Sequence, residues 1–277
     1  MTRRQERNVS RRGPFCALLV VVIAACGVLL PVSAEGTIVP TESFAYSTGD
    51  LNGQGGWNGS SNWDVESGNL AYPASCSLVA SGNRATINGG GGSVNRNLGA
   101  TLDFDGENTY YVSFLVRKDA IPETSNEYFW LSLRDSSSYK ATMGIGSSEN
   151  VLLGNNTSGG FSVSASTIAG STDYLYVAKM VTASSGAEQY FATVYDPSET
   201  VPATEPASWD VTFSSTVTGA ADTIRLESGS NGYYTVDQIR IGTSWANVTV
   251  PEPGTLIMLL GLAGIGLMGC SRHRRRR

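Results

Sequence analysis

Histidine is almost missing from this chain: of 277 residues only His273 is one, and it stands in a basic tail. The main part of the chain therefore has no Ser-His-Asp or Cys-His set and no histidine metal ligand, which removes most hydrolase mechanisms. Cysteine is nearly as scarce. Of four cysteines, Cys76 alone lies between residues 35 and 250, so no intrachain disulfide braces that part. Charged residues make up 16% of the chain, and in the main part the basic ones are few. Nine Lys and Arg face 22 Asp and Glu over residues 35–250, a net charge of about −13. A surface this acidic repels phosphate backbones and excludes nucleic acid as a partner. No stretch of the same region sustains a 3.6-residue apolar period, which excludes a helical body.

The two ends are organised differently. Arg3, Arg4, Arg7, Arg11 and Arg12 precede an apolar run from Phe15 to Leu30, followed by Pro31-Val32-Ser33-Ala34. A basic region, an apolar region and small residues at 32 and 34 make a secretory signal helix over 1–34, cut between Ala34 and Glu35 by signal peptidase. Ile23-Ala24-Ala25-Cys26 matches a lipobox that would put a lipid on Cys26, but the apolar run continues past it to Leu30. Residues 250–277 open on Val250-Pro251-Glu252-Pro253-Gly254, where two prolines stop any regular element. An uncharged run from Thr255 to Cys270 then reads as a short transmembrane helix, and Arg272 with Arg274 to Arg277 would stay on the cytoplasmic side. Motif, apolar run and basic end, in that order, resemble the PEP-CTERM sorting signal of bacterial envelope proteins. The resemblance implies an exosortase as partner, acting near Pro251, Glu252 and Pro253. It also implies an exported protein, membrane-anchored until its tail is processed and then at the cell surface or outside.

Residues 35–249 read as one all-β domain. Short β-branched and aromatic runs alternate with Gly, Asn and Ser clusters. Thr109 to Arg117 is the strongest strand; Tyr110, Val112, Phe114 and Val116 share one face and the other face is also partly apolar, so it should be central. Glu127 to Arg134, Tyr139 to Ile145, Val151 to Leu153, Phe161 to Val163, Tyr174 to Val181, Gln189 to Tyr195, Thr223 to Glu227 and Tyr233 to Ile241 follow, with Ser93 to Leu98 as an edge strand. Asp196 to Pro206 holds three prolines and is a loop. In the last strand, strict alternation would put Asp237 on the face of Ile239 and Ile241, which demands either a bend or a buried partner. So many strands argue for two packed antiparallel sheets, a jelly-roll-like sandwich.

Tyr174 to Lys179, Tyr190 to Pro197, Asp222 to Leu226 and Val236 to Trp245, with Phe44-Ala45-Tyr46 and Asn52 to Trp57 earlier, resemble bacterial laminin-G-like, concanavalin A-like (lectin/glucanase) domains. That resemblance implies a structural, adhesive or glycan-binding role, with extracellular polysaccharide as ligand, or else glycan cleavage. Trp57 and Trp63 sit in and beside a glycine-rich loop: exposed, they could stack on a sugar; buried, they plug the sandwich edge. Asp103-Phe104-Asp105-Gly106-Glu107 is the nearest approach to a glucanase carboxylate set, but the glycine makes it a turn rather than a cleft-lining strand, so no catalytic residue is assigned. The oxygens of Asp103, Asp105 and Asn108 are instead a candidate Ca²⁺ set. N-terminal sequencing of the exported protein is expected to begin at Glu35; a lipid-modified Cys26 at the start would overturn that cleavage site.

Overall fold

The architecture grows outward from the strand over Thr109–Lys118, whose two faces are both buried. A computed structural model describes residues 37–73, 80–119, 127–155 and 160–249. The signal segment with Cys26, Ala34 and Glu35 lies outside the described residues, as do Cys76, Pro251-Glu252-Pro253, the apolar run from Thr255 to Cys270 and the basic end. Among the described residues no helix is long and apolar enough to cross a membrane.

The strands are β1 (Thr37–Glu42), β2 (Gly49–Asp50), β3 (Asn58–Gly59), β4 (Trp63–Ser67), β5 (Asn83–Asn88), β6 (Gly92–Asp103), β7 (Thr109–Lys118) and β8 (Phe129–Arg134). β9 (Tyr139–Ile145), β10 (Asn150–Gly154), β11 (Phe161–Thr167), β12 (Asp173–Val181), β13 (Glu188–Tyr195), β14 (Val211–Ser215), β15 (Ala220–Ser228) and β16 (Tyr233–Gly242) follow, then a short helix α1 (Trp245–Thr249). They form two antiparallel sheets in a sandwich. The nine-stranded sheet runs β14-β13-β12-β7-β16-β5-β4-β2, with β1 added to β16; the seven-stranded sheet runs β11-β10-β9-β8-β15-β6-β3. The expected strands are all present and β7 is central. The segment expected as an edge, Ser93 to Leu98, belongs instead to the twelve-residue β6, which is covered on its outer side by β3. β1 to β5 and β14 were not legible, because these runs are short and carry few apolar residues among polar ones.

Alternation fills the space between the sheets. Val112, Phe114 and Val116 of β7, Phe129, Leu131 and Leu133 of β8, and Ile224 and Leu226 of β15 all enter one core. Phe114 stacks on Tyr176 at 4.8 Å and meets Phe129 edge-on at 5.8 Å. Two core tyrosines act as struts between the sheets: Tyr176 donates its hydroxyl to the Leu152 carbonyl (2.7 Å) and Tyr190 to that of Lys140 (2.9 Å). Each thereby satisfies a buried polar group that would otherwise cost about 1–3 kcal/mol.

The opposite side of β7 starts a second, smaller core. Tyr111 and Leu115 join Leu175, Val177, Tyr195, Leu70, Trp245 and Val248 on the outer face of the nine-stranded sheet. The proline-bearing loop before β14 lies over this face: the Pro202 carbonyl accepts the Trp245 indole N–H (2.9 Å), and Glu205 accepts from Tyr111 (2.6 Å) and pairs with Lys179.

Asp237 resolves its sequence puzzle in both ways at once. The pairing of β16 with β7 slips between Asp237 and Arg240, and Gln238 takes φ +51°. This bulge turns Asp237 away from Ile239 and Ile241, so that Tyr234 and Val236 before it and Ile239 and Ile241 after it all face the main core. The carboxylate is fully buried and accepts the backbone N–H of Leu70 (3.1 Å) and of Gln238 (2.8 Å). Burial pushes its pKa up to about 7, against those hydrogen bonds and the positive charge of Arg84. A raised carboxyl pKa means that its stabilisation is complete below the unfolded value near 4 and is lost as pH rises through 7. The Tm advantage of the wild type over Asp237→Asn is therefore expected to shrink from pH 5 to pH 8 in thermal unfolding; a constant difference would count against it.

Candidate functional site

Among the described residues, no second core covers the outer face of the seven-stranded sheet. Register lays its residues out in cross-strand rows. One row runs Ser93, Glu227, Trp130, Gly144, Leu152 and Val163 across β6, β15, β8, β9, β10 and β11. The next runs Asn95, Arg225, Ser132, Thr142, Gly154 and Phe161, and a third begins Asn97, Thr223, Arg134 and Tyr139. Between Trp130 on β8 and Phe161 on β11, these rows place Gly144, Thr142 and Gly154.

That distribution lets aromatic rings from distant strands meet. Trp130 on β8 stacks on Tyr128 at 4.2 Å and reaches Phe161 on β11 at 5.3 Å, over the floor made by Gly144, Thr142 and Gly154. All three rings are partly exposed, forming an aromatic ridge. Gly144 (φ +152°) is required beneath it, since a β-carbon there would collide with the β8 backbone. Ser132 and Thr142 satisfy each other through their hydroxyls at 3.1 Å. The Trp130 indole N–H has no partner.

Beside the ridge lies a charged group. Arg225 donates to Glu227 (2.7 Å), which also accepts the Tyr139 hydroxyl (3.3 Å), and the Arg134 guanidinium sits 4.9 Å above the Tyr139 ring. Burial first and the Glu227 carboxylate second raise the phenols of Tyr128 and Tyr139, with Arg225 opposing. Both remain neutral hydroxyls at neutral pH. The face thus presents apolar ring surface next to a small set of fixed hydrogen-bonding groups, the combination a sugar needs for its C–H faces and its hydroxyls.

The residues singled out from sequence lie elsewhere. Trp57 and Trp63 are both fully buried in the main core, which corrects their candidacy as exposed glycan-stacking platforms. Their surroundings explain why. Glu42 accepts the indole N–H of Trp57 (3.3 Å), the Tyr46 hydroxyl (2.8 Å) and the Phe44 amide (2.6 Å), and it pairs with Arg96. Gly55 (φ +54°) bends the loop where any side chain would strike the Tyr46 ring. Trp63 in β4 meets Phe129 edge-on and donates to the Gly92 carbonyl at 3.3 Å. A shallow cleft of about 280 Å³, counting space open to solvent, lies over this group between Pro40, Arg96, Asn97 and Ile224.

Asp103, Asp105 and Asn108 do come together, as a turn between β6 and β7. Asp103 accepts the Asp105 amide (2.9 Å), Asp105 accepts the Gly219 amide (2.8 Å), and the Asn108 side chain donates to the Asp103 carbonyl (3.1 Å). Asp103 and Asp105 each spend a carboxylate oxygen on the turn itself, while Asn108 contributes a donor. Among the described residues no group of three or more His, Cys, Asp or Glu converges as metal ligands would.

One further cluster was not legible from sequence. Lys118, at the end of β7, donates to Glu127 (2.9 Å) and to Glu149, with all but Glu149 almost wholly buried. Burial works against the ammonium, but the bonds and charges of Glu149 and Glu127 outweigh it and raise its pKa. The nearby Tyr234 hydroxyl is buried without a partner, and burial with these two carboxylates raises its pKa as well. The sequence holds these groups 9 to 116 positions apart, with no shared motif to join them.

Residues 249–277 match the PEP-CTERM protein-sorting motif. A comparison with curated proteins finds no match. Among solved structures the chain is similar to endo-beta-1,4-glucuronan lyase from the fungus Trichoderma reesei, at 13% identity and a TM-score of 0.43, covering 75% of this chain and 98% of that one. It is also similar to the VIP36 exoplasmic/lumenal domain, at 7% identity and a TM-score of 0.39, covering 70% and 87%. A third is Trypanosoma rangeli sialidase, at 13% identity and a TM-score of 0.37, covering 68% of this chain and 30% of that one. The chain thus spans about a third of the sialidase's length, and identities this low transfer no site residue. Trp57→Ala is expected to cost about 3–5 kcal/mol in denaturant unfolding and so to act as a core mutation; loss of ligand binding at unchanged stability would contradict its buried role.

Proposed function

We propose that this chain is an exported envelope protein whose sandwich, of the lectin/glucanase-like kind, binds extracellular glycan through the outer face of its seven-stranded sheet. The single observation that carries the reading is the aromatic ridge of Tyr128, Trp130 and Phe161 standing partly exposed beside Arg225, Glu227 and Tyr139. Export is supported by the sorting motif, which is handled by an exosortase in this reading, after signal peptidase has acted at the other end. The docking of α1 supports the orientation. Val248 and Trp245 are buried on the nine-stranded sheet, and Ser113 of β7 donates to the Val248 carbonyl at 2.7 Å. The described chain thus ends at Thr249 on the face opposite the ridge, which supports a reading in which the ridge points away from the membrane.

Recognition here needs no cation, because its polar groups are side chains already in place. A polysaccharide panel probed with the exported protein is expected to show selective binding that survives EDTA and is lost in Trp130→Ala, with the fold retained by circular dichroism. A wild type that binds no glycan, or a Trp130→Ala protein that binds as the wild type does, would sink the reading.

Glycan cleavage is a second reading with one observation behind it, the two carboxylates gathered on Lys118 beside the unpartnered Tyr234 hydroxyl. A retained Glu149→Gln protein that stops releasing reducing ends, where the wild type releases them, would favour it.

A further inference from the structure

β11 (Phe161–Thr167) ends the seven-stranded sheet, and among the described residues nothing pairs with its outer edge. An open edge is a template for another strand, and proteins usually blunt it with charge, proline, a bulge or shortness. The other edges here are blunted. β2 and β3 are two residues each. β1 holds Pro40 and Glu42 and pairs irregularly along its length. β14 is five residues long and begins beside Asp210, whose carboxylate is tied to Thr193 and the Val194 amide. β11 has seven residues, Phe-Ser-Val-Ser-Ala-Ser-Thr, with no charge and no proline; its pairing with β10 is regular over Phe161 to Val163 and slips beyond it, so the flat part of the edge is centred on these residues.

Two further observations mark the middle of this strand. Val163 is 57% exposed, more so than any other large apolar side chain among the described residues. The Asn155 amide donates to the Gly160 carbonyl (3.0 Å) and closes the β10–β11 hairpin, after which Gly154, Leu153 and Leu152 stand opposite Phe161, Ser162 and Val163. Bonded and non-bonded pairs alternate along an antiparallel ladder, so the Val163 N–H and C=O both turn away from β10 toward the open edge.

We propose that β11 is a self-pairing edge, joining two copies of this chain antiparallel with Val163 opposite Val163. In that register the two valines exchange both backbone hydrogen bonds across a two-fold axis, which is the closed, self-complementary arrangement that limits assembly to a dimer. The apolar row Trp130, Gly144, Leu152 and Val163 runs straight into the same row of the second copy, and Val163 leaves water. Electrostatics select this edge as well. Two bodies of about −13 each repel at most approaches, whereas two uncharged strands can come together without placing like charges opposite each other. The pairing does not depend on glycan binding, although it would join the two aromatic ridges into one surface.

The test uses the full chain in its membrane, with Cys16, Cys26, Cys76 and Cys270 replaced by serine and single cysteines placed at Val163, at Thr212 on β14 or at Asn58 on β3. Mild oxidation is expected to give a covalent dimer for Val163→Cys and none for the other two. A dimer at Thr212→Cys with none at Val163→Cys would overturn the proposal. As a second measurement, the detergent-solubilised chain carrying Val163→Lys is expected to sediment as a monomer, while the wild type and Val163→Thr sediment as dimers. A Val163→Lys protein with the wild-type sedimentation would equally overturn it. Both readouts stand whether or not any glycan binds.

Discussion

The bulge at Asp237 and Gln238 is the constraint on which both cores depend. β16 is the strand through which the nine-stranded sheet is assembled, and its two halves serve different neighbours: Tyr233 to Val236 pair with β5, and Ile239 to Gly242 pair with β1. The bulge falls at the hand-over. One inserted residue keeps Tyr234 and Val236 in register with Ile239 and Ile241 on the core side, where an unbroken strand would alternate out of phase. The cost is a carboxylate in the dry interior. Backbone donors from Leu70 and Gln238 compensate it, and the Gln238 side chain ties the same point to the Ser81 carbonyl at 2.6 Å. A polar anchor with several donors thereby holds Leu70 and Ser81, both between β4 and β5, to β16.

From that anchor the two sheet faces acquire opposite fates. The outer face of the nine-stranded sheet is closed by Leu70, the proline-bearing loop and α1, so its aromatics serve stability. The outer face of the seven-stranded sheet receives no such cover among the described residues. Aromatic side chains there remain in contact with water at some cost, since each would gain by burial, and the ridge is the kind of exposed apolar feature that marks an interaction surface. Among the described residues the two faces thus differ: one is packed under a second core, and the other leaves its aromatic ridge in contact with water.

Much of this was legible before any coordinates. Tyr110, Val112, Phe114 and Val116 announce a central strand by period alone, and Phe129, Leu131 and Leu133 alternate with Tyr128, Trp130 and Ser132 in the same way. Alternation separates Trp130 from Phe129, Leu131 and Leu133, yet nothing in it marks Trp130 as part of a site, because its partner Phe161 is three strands away in the sheet. Trp57 drew attention for the opposite reason. A glycine-rich setting looks exposed locally, and only Glu42 and Arg96, brought from β1 and β6, explain why the indole is buried.

The sequence by itself determined the sorting motif at 249–277, the all-β class and the inward face of most long strands, because motif composition and period-two alternation are local properties of the chain. Tertiary structure decided which tryptophans are core and which are surface, and where β16 breaks its alternation. It also decided which edge and which face remain open. Those outcomes rest on contacts between residues tens to hundreds of positions apart, where register, not composition, sets what meets what.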